Sequence, residues 1–292
     1  MSMGFCWSRG IMHIILKSDN ITTNENTLLS VSSLVEQFCK KLEFSIDYIE
    51  EIIFADENIY GEVIRNINPE EGYTDTPEGK GFGKTIYLKE KNKNIIILRS
   101  EYFQLIVHIL SGELQNENPV YELTLFTLLH EIGHCISNIN EYIEIHKKKT
   151  LGINEIPLYY FTIIYDEYTA NKNILMCVKK DWVLYELENS YLSTLNELNK
   201  KILSFRDIEF VQNIWFYIKF FLDIGYFLTY IDESEYTNIL KKIDTYFDLN
   251  IIISSFQKYD NEEITKQELF IIINNIVNDI LLQYYKPYYN NQ

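Results

Sequence analysis

His130, Glu131, Ile132, Gly133 and His134 stand in a row inside an apolar segment. On a helix the two histidines lie one turn apart on one face, with Glu131 about 100° further round. Two imidazole nitrogens aimed at one point are metal ligands by type, and zinc accepts neutral imidazole readily. A carboxylate between them can reach a water held by such a metal and take its proton. With five histidines in 292 residues, the pattern arises by chance in roughly one such chain in a hundred. The plainer alternative is a pair of core histidines with hydrogen-bond partners of their own.

A catalytic zinc takes three protein ligands and keeps a fourth position open, so one more ligand must come from elsewhere. A histidine six residues after His134 is excluded, because that position is Asn140. His146 stands beside Lys147, Lys148 and Lys149 and reads as solvated. No cysteine lies between Cys39 and Cys135, which removes a cysteine ligand from an upstream loop. Cys135 itself points about 100° away from His134 and reads as a packing residue. The best third ligand is Glu167, within Tyr165–Asn171. A carboxylate on a second helix can meet both imidazoles across a helix–helix contact, and Ala170 one turn later permits close approach. Asp166 competes with it and is placed instead as an acceptor for a histidine N–H.

The elements that must position these groups are read from periodicity and breakers. Asn118 suits an N-cap and Pro119 the first helical position, where its missing N–H goes unused. Leu123, Thr127, His130 and His134 then share one stripe. The second helix runs from about Leu158 to Lys180. Upstream, Leu28, Val31, Leu34, Val35 and Phe38 give the pattern of an amphipathic helix over 27–41, and a short helix is expected from Ile46 to Phe54. Residues 66–84, rich in Asn, Pro, Gly and Glu, read as loop. Within them Gly79–Thr85 ends like a phosphate loop, but Glu78 stands where glycine is required and a strand follows instead of a helix. A flexible glycine loop rimming a cleft is the expectation there.

Thr85 to Leu88 and Asn94 to Leu98 read as a hairpin with a polar tip. The second of these runs is a candidate edge on which an extended peptide adds as a strand. Beyond Asp181 the pattern is helical, with a capping box at Thr265–Glu268 opening the last helix. Asp260–Glu263 lacks the glycine and spacing of a calcium loop and reads as a turn. The aromatic cluster around Trp215–Phe221 reads as core packing.

Phe126-Thr127-Leu128-Leu129-His130-Glu131-Ile132-Gly133-His134, followed by Glu167-x-x-Ala170-Asn171, resembles the ImmA/IrrE group of zinc metallopeptidases. The likeness covers roughly residues 85–180 in the order hairpin, motif helix, ligand helix. It implies His130, His134 and Glu167 as zinc ligands and Glu131 as general base. Clostridial neurotoxin light chains share the ligand order and gap but lack E-x-x-A-N. The fold class expected is α+β: a zincin-like domain over 1–180, with a small sheet and the motif helix, then a mainly helical region over 181–292.

Composition narrows the function. Hydrophobic residues make up 47% of the chain, so it can build a core. The net charge of −16 disfavours a nucleic-acid reader, which needs a basic face. Cys6, Cys39, Cys135 and Cys177 form no C-x-x-C pair, which fits a reducing, cytoplasmic compartment. The apolar run before Lys17 lacks the features of a secretory signal. Ile214–Ile231 carries Lys219 and Asp223 and reads as a buried helix rather than a membrane span. The expected activity is a zinc-dependent endopeptidase acting on a protein or peptide, by resemblance a regulatory protein. The tyrosines at 159, 160, 165 and 168 are candidate donors to the tetrahedral intermediate. The alternative is a zincin scaffold used for binding, as half of a toxin–antitoxin or regulator pair. An intact Glu131 favours catalysis, since a binder has no need of the base.

Overall fold

The computed structural model describes residues 5–9, 12–70, 75–76, 79–140, 156–179, 181–182 and 249–289. Packing divides the chain into two units, 1–144 with 169–178, and 145–168 with 179–292. The first unit is mixed α/β, built on a five-stranded sheet. Its strands are β1 (Phe5–Arg9), β2 (Met12–Lys17), β3 (Ile49–Ala55), β6 (Gly83–Leu88) and β7 (Lys93–Arg99), in the order β1-β2-β3-β7-β6. Strands β2, β3 and β7 run parallel, and β1 and β6 flank them antiparallel. Two short strands, β4 (Asp75–Thr76) and β5 (Gly79–Lys80), pair separately.

The sheet is covered on both faces, which is why its inner strands read as continuous apolar runs. Ile52 and Phe54 of β3, with Ile96 and Leu98 of β7, enter one core. That core also takes side chains from α1 (Glu25–Lys41), α3 (Ser100–Ser111) and α4 (Pro119–Asn140). Ile53 and Ala55, with Ile95 and Ile97, enter a second core with Tyr60, Val63 and Ile64 of α2 (Glu57–Ile67). The helix expected over Ile46–Phe54 is therefore corrected. Only Ile46–Tyr48 makes a helical turn, and Ile49–Ala55 is an inner strand. A strand sends alternate side chains into two cores at once, which a short helix with one buried stripe cannot do.

Two further expectations change. Residues 66–84 are not one loop: α2 extends to Ile67, β4 and β5 pair, and Gly83 already belongs to β6. The hairpin forms as read, with Gly83 opposite Leu98 and Asn92 in the left-handed region at φ 52°. However, β7 lies between β3 and β6, so the outer strand is β6. The helix α3, which follows β7 without a loop, is an element beyond those expected. Gly112 at φ 78° stops it, a conformation glycine adopts without strain.

Caps behave as their sequences suggest. Asn24 Oδ1 accepts from Thr27 N at 3.0 Å, and Asn118 Oδ1 accepts from Val120 N at 2.9 Å. Helix α5 (Ile156–Ile174) stops short of Lys180 and tightens into a 3-10 turn over Leu175–Cys177.

In the second unit, the earlier part of α5 packs with α6 (Leu249–Asp260) and α7 (Lys266–Tyr289). Tyr165 Oη and Tyr259 Oη lie 2.6 Å apart, and the Tyr168 hydroxyl donates to Asp260. Tyr168 stacks on Phe256, and Phe161 meets Phe270 edge-on. The expected capping box is present: Thr265 N donates to Glu268 Oε2 at 2.7 Å, and Glu268 N to Thr265 Oγ1 at 3.3 Å. Readings of His146, Lys147–Lys149, Ile214–Ile231 and Trp215–Phe221 lie outside the described residues. Among the described residues no helix is long and apolar enough to cross a membrane.

Candidate metal centre

Helix α4 divides its circumference between the sheet and α5. Leu128, Ile132, Cys135 and Ile136 seat it in the sheet-side core. The stripe carrying Gly133 and Ser137 meets the last turns of α5. A Cβ added at Gly133 would fall 2.3 Å from the Ala170 carbonyl oxygen, so the two helices touch backbone to backbone. Ser137 Oγ donates to Thr169 Oγ1 at 3.1 Å, and Asn173 Nδ2 donates to Gly133 O at 3.2 Å. The close approach expected at Ala170 is thus present, with glycine as its counterpart.

That contact places the histidines. The His130 and His134 rings cross at 86°, and their Nε2 atoms lie 3.1 Å apart. Two ligands of a tetrahedral zinc, at bond lengths of about 2.0–2.1 Å, stand roughly 3.3 Å apart. His130 Nδ1 faces Asn171 Oδ1 at 2.9 Å. An amide oxygen only accepts, so the His130 proton sits on Nδ1 and the Nε2 lone pair is directed toward His134.

Glu167 precedes Asn171 by one turn of the same helix. Taking one ligand atom from each of His130, His134 and Glu167, all three lie within 4.8 Å of one another. Among the described residues this is the one group of histidine, cysteine and carboxylate side chains so arranged. Two imidazoles and a carboxylate are also the donor set that zinc takes in hydrolytic sites. The residues therefore fit the ion.

The acceptor role expected of Asp166 is filled for His130 by Asn171. Asp166 and Asn171 lie on different faces of α5, and which face meets α4 is set by the Gly133–Ala170 contact. Cys135 is fully buried, and burial, with the nearby Glu131 charge, pushes its thiol well above the usual range. It is a packing residue, as read. The hydroxyls of Tyr165 and Tyr168 bond to α6, and the side chains of Tyr159 and Tyr160 lie outside the described residues.

Glu131 is only 5% exposed, yet it is not sealed among apolar groups. The Thr85 hydroxyl lies 2.7 Å from Glu131 Oε2 and 3.0 Å from its carbonyl oxygen. A Cβ added at Gly83 would stand 2.5 Å from Glu131 Oε1. The glycine expected to serve a flexible loop instead lets the β6 backbone pass directly over the carboxylate. Its position ahead of a β-prone run was the available signal, since glycine in a strand marks a close approach. Nothing in the sequence pointed to Thr85. The chain matches no protein-family model, no curated protein and no solved structure.

Proposed function

We propose that this chain is a zinc-dependent endopeptidase with a zincin-like domain, acting on a protein or peptide in the cytoplasm. The observation that carries the reading is the convergence of His130, His134 and Glu167, with Glu131 next in sequence to His130 and its carboxylate held by Thr85. Those three residues would hold the ion. Bound there, zinc supplies Lewis acidity, polarising a scissile carbonyl and bringing the pKa of water to about 7.

The remaining chemistry belongs to the chain. Glu131 takes a proton from the attacking water and delivers it to the leaving amine nitrogen as the C–N bond breaks, a contribution of roughly 10²–10⁴-fold. Strand β6 is one of the two outer strands of the sheet and packs on the motif helix; an extended peptide pairing along its outer edge would lie beside that helix. This favours a peptide over a small ester. The net charge of −16 is consistent with a protein substrate rather than a nucleic acid. The resemblance noted above supports a regulatory protein as that substrate.

Metal analysis and turnover of a quenched-peptide mixture test the reading together. Purified protein carries about one zinc per chain, and His130→Ala retaining full zinc would sink the assignment. Glu131→Gln keeps its zinc and loses turnover; unchanged hydrolysis points to another base. Glu167→Ala lowers zinc affinity more than Asp166→Ala does, and the reverse order exchanges their roles. A chain that keeps its zinc but cleaves no member of the mixture favours the binding scaffold.

A further inference from the structure

The geometry points to Thr85 as the residue that positions Glu131, an inference resting on the reading of Glu131 as general base. A glutamate has three side-chain torsions, and a base that wanders among rotamers spends little time where a proton can be taken. Two features of β6 restrict it. The Thr85 hydroxyl donates to Oε2 at 2.7 Å, a charge-assisted bond that fixes one carboxylate oxygen. Gly83, two residues earlier and so on the same face of the strand, brings backbone where a Cβ would lie 2.5 Å from Oε1 and 2.8 Å from Cγ and Cδ. The carboxylate is held at Oε2 by the hydroxyl and walled at Oε1, Cγ and Cδ by the Gly83 backbone, so β6 fixes its orientation. Both constraints come from the outer strand beside α4, so whatever pairs with β6 lies next to the base that it anchors.

A purely structural role for Thr85 would be to satisfy a buried carboxylate, and a probe of the carboxylate itself separates the two. Cobalt(II) is loaded into the full chain in place of zinc, and ligand binding is followed by visible absorption. Acetohydroxamic acid brings a proton that a neighbouring carboxylate can take, whereas thiocyanate brings none. Thr85→Val keeps the shape and the strand propensity but removes the donor. It weakens acetohydroxamate binding about tenfold, the lower end for a lost hydrogen bond to a charged group, and leaves thiocyanate affinity and cobalt content unchanged. Thr85→Ser restores the acetohydroxamate affinity. In a Glu131→Gln background Thr85→Val has no further effect, because the proton acceptor it positions is already gone. Gly83→Ala presses on the same carboxylate from the other side and gives the same selective loss.

Thr85→Val binding acetohydroxamate as tightly as the parent overturns the inference, as does an equal loss for both ligands. A parent chain that takes up no cobalt removes the metal centre and this inference with it. A chain that binds cobalt and shows the selective loss, but cleaves no peptide, keeps the Thr85 role while the endopeptidase reading falls.

Discussion

Gly133→Ala is the sharpest test of how the site is assembled, because two effects of opposite sign compete at that position. In an exposed helix interior, glycine to alanine gains about 0.8–1.0 kcal/mol from propensity alone. Here the new methyl would sit 2.3 Å from the Ala170 carbonyl oxygen, where ordinary contact begins at 3.4 Å. The obstacle is backbone, so it cannot swing aside as a side chain would. The helices must part by about 1 Å to admit it, and overpacking of this kind costs about 1–3 kcal/mol. The same displacement carries Asn171 away from His130. Their bond of 2.9 Å would lengthen to about 4 Å, beyond hydrogen-bonding range. Its loss adds about 1 kcal/mol and frees the His130 ring to turn. The expected outcome is a chain destabilised by about 1–3 kcal/mol, with zinc affinity reduced about 10- to 100-fold. Urea unfolding followed by far-UV circular dichroism gives the first quantity, and competition with a chromophoric chelator gives the second. A variant stabilised by about 1 kcal/mol, as propensity alone predicts, with zinc affinity unchanged, would refute the helix contact and the account of ligand placement built on it.

The remaining predictions concern titration. Burial pushes the Asp56 carboxyl up, but hydrogen bonds from the Ser100 and Ser18 hydroxyls and the Asp19 N–H outweigh it and hold the group below its usual value. Its folded value is therefore the lower one, so the stabilisation is present above about pH 4 and is lost as pH falls through the folded value. The stability gap between the parent and Asp56→Asn, from urea melts, should narrow as pH drops below about 4; a gap independent of pH would contradict the network. Burial, with the Glu36 charge, pushes the Cys39 thiol up to about 12, and Cys135 is raised by burial and the Glu131 charge. Both folded values exceed the unfolded one, so their contribution is complete below about pH 8.5 and declines as pH rises. Among Cys39, Cys135 and Cys177, the half-buried Cys177 should be alkylated first in the native protein, as peptide mapping would show. Fast labelling of Cys135 would mean that α4 does not pack on the sheet as described.

What could be read from the sequence was local. The spacing of His130 and His134, the Asn118 cap, the 27–41 stripe, the hairpin and the Thr265–Glu268 box each depend on residues within a few turns of one another. Glu167 was reachable for a related reason: it lies one turn before Ala170, whose small size announced a close helix contact. The errors share a cause. Ile49–Ala55 reads as helix in the sequence because its apolar run is filled on both faces by partners distant in sequence. β7 lies inside and not at the edge because strand order is a property of the assembled sheet, and a hairpin does not say which of its arms lies inside.

The sequence by itself determined the chemistry available to this protein: two histidines and a glutamate at helical spacing, and a second helix carrying a carboxylate. Helical geometry is a short-range consequence of the backbone, so that much needed no fold. Tertiary structure decided which groups serve that chemistry. Asn171 rather than Asp166 orients His130 because the Gly133–Ala170 contact sets the rotation of α5. Thr85 meets Glu131 across 46 residues of chain because β6 is the outer strand under α4. Both depend on which faces pack together, and that choice is made by the burial of the whole core, not by any one segment.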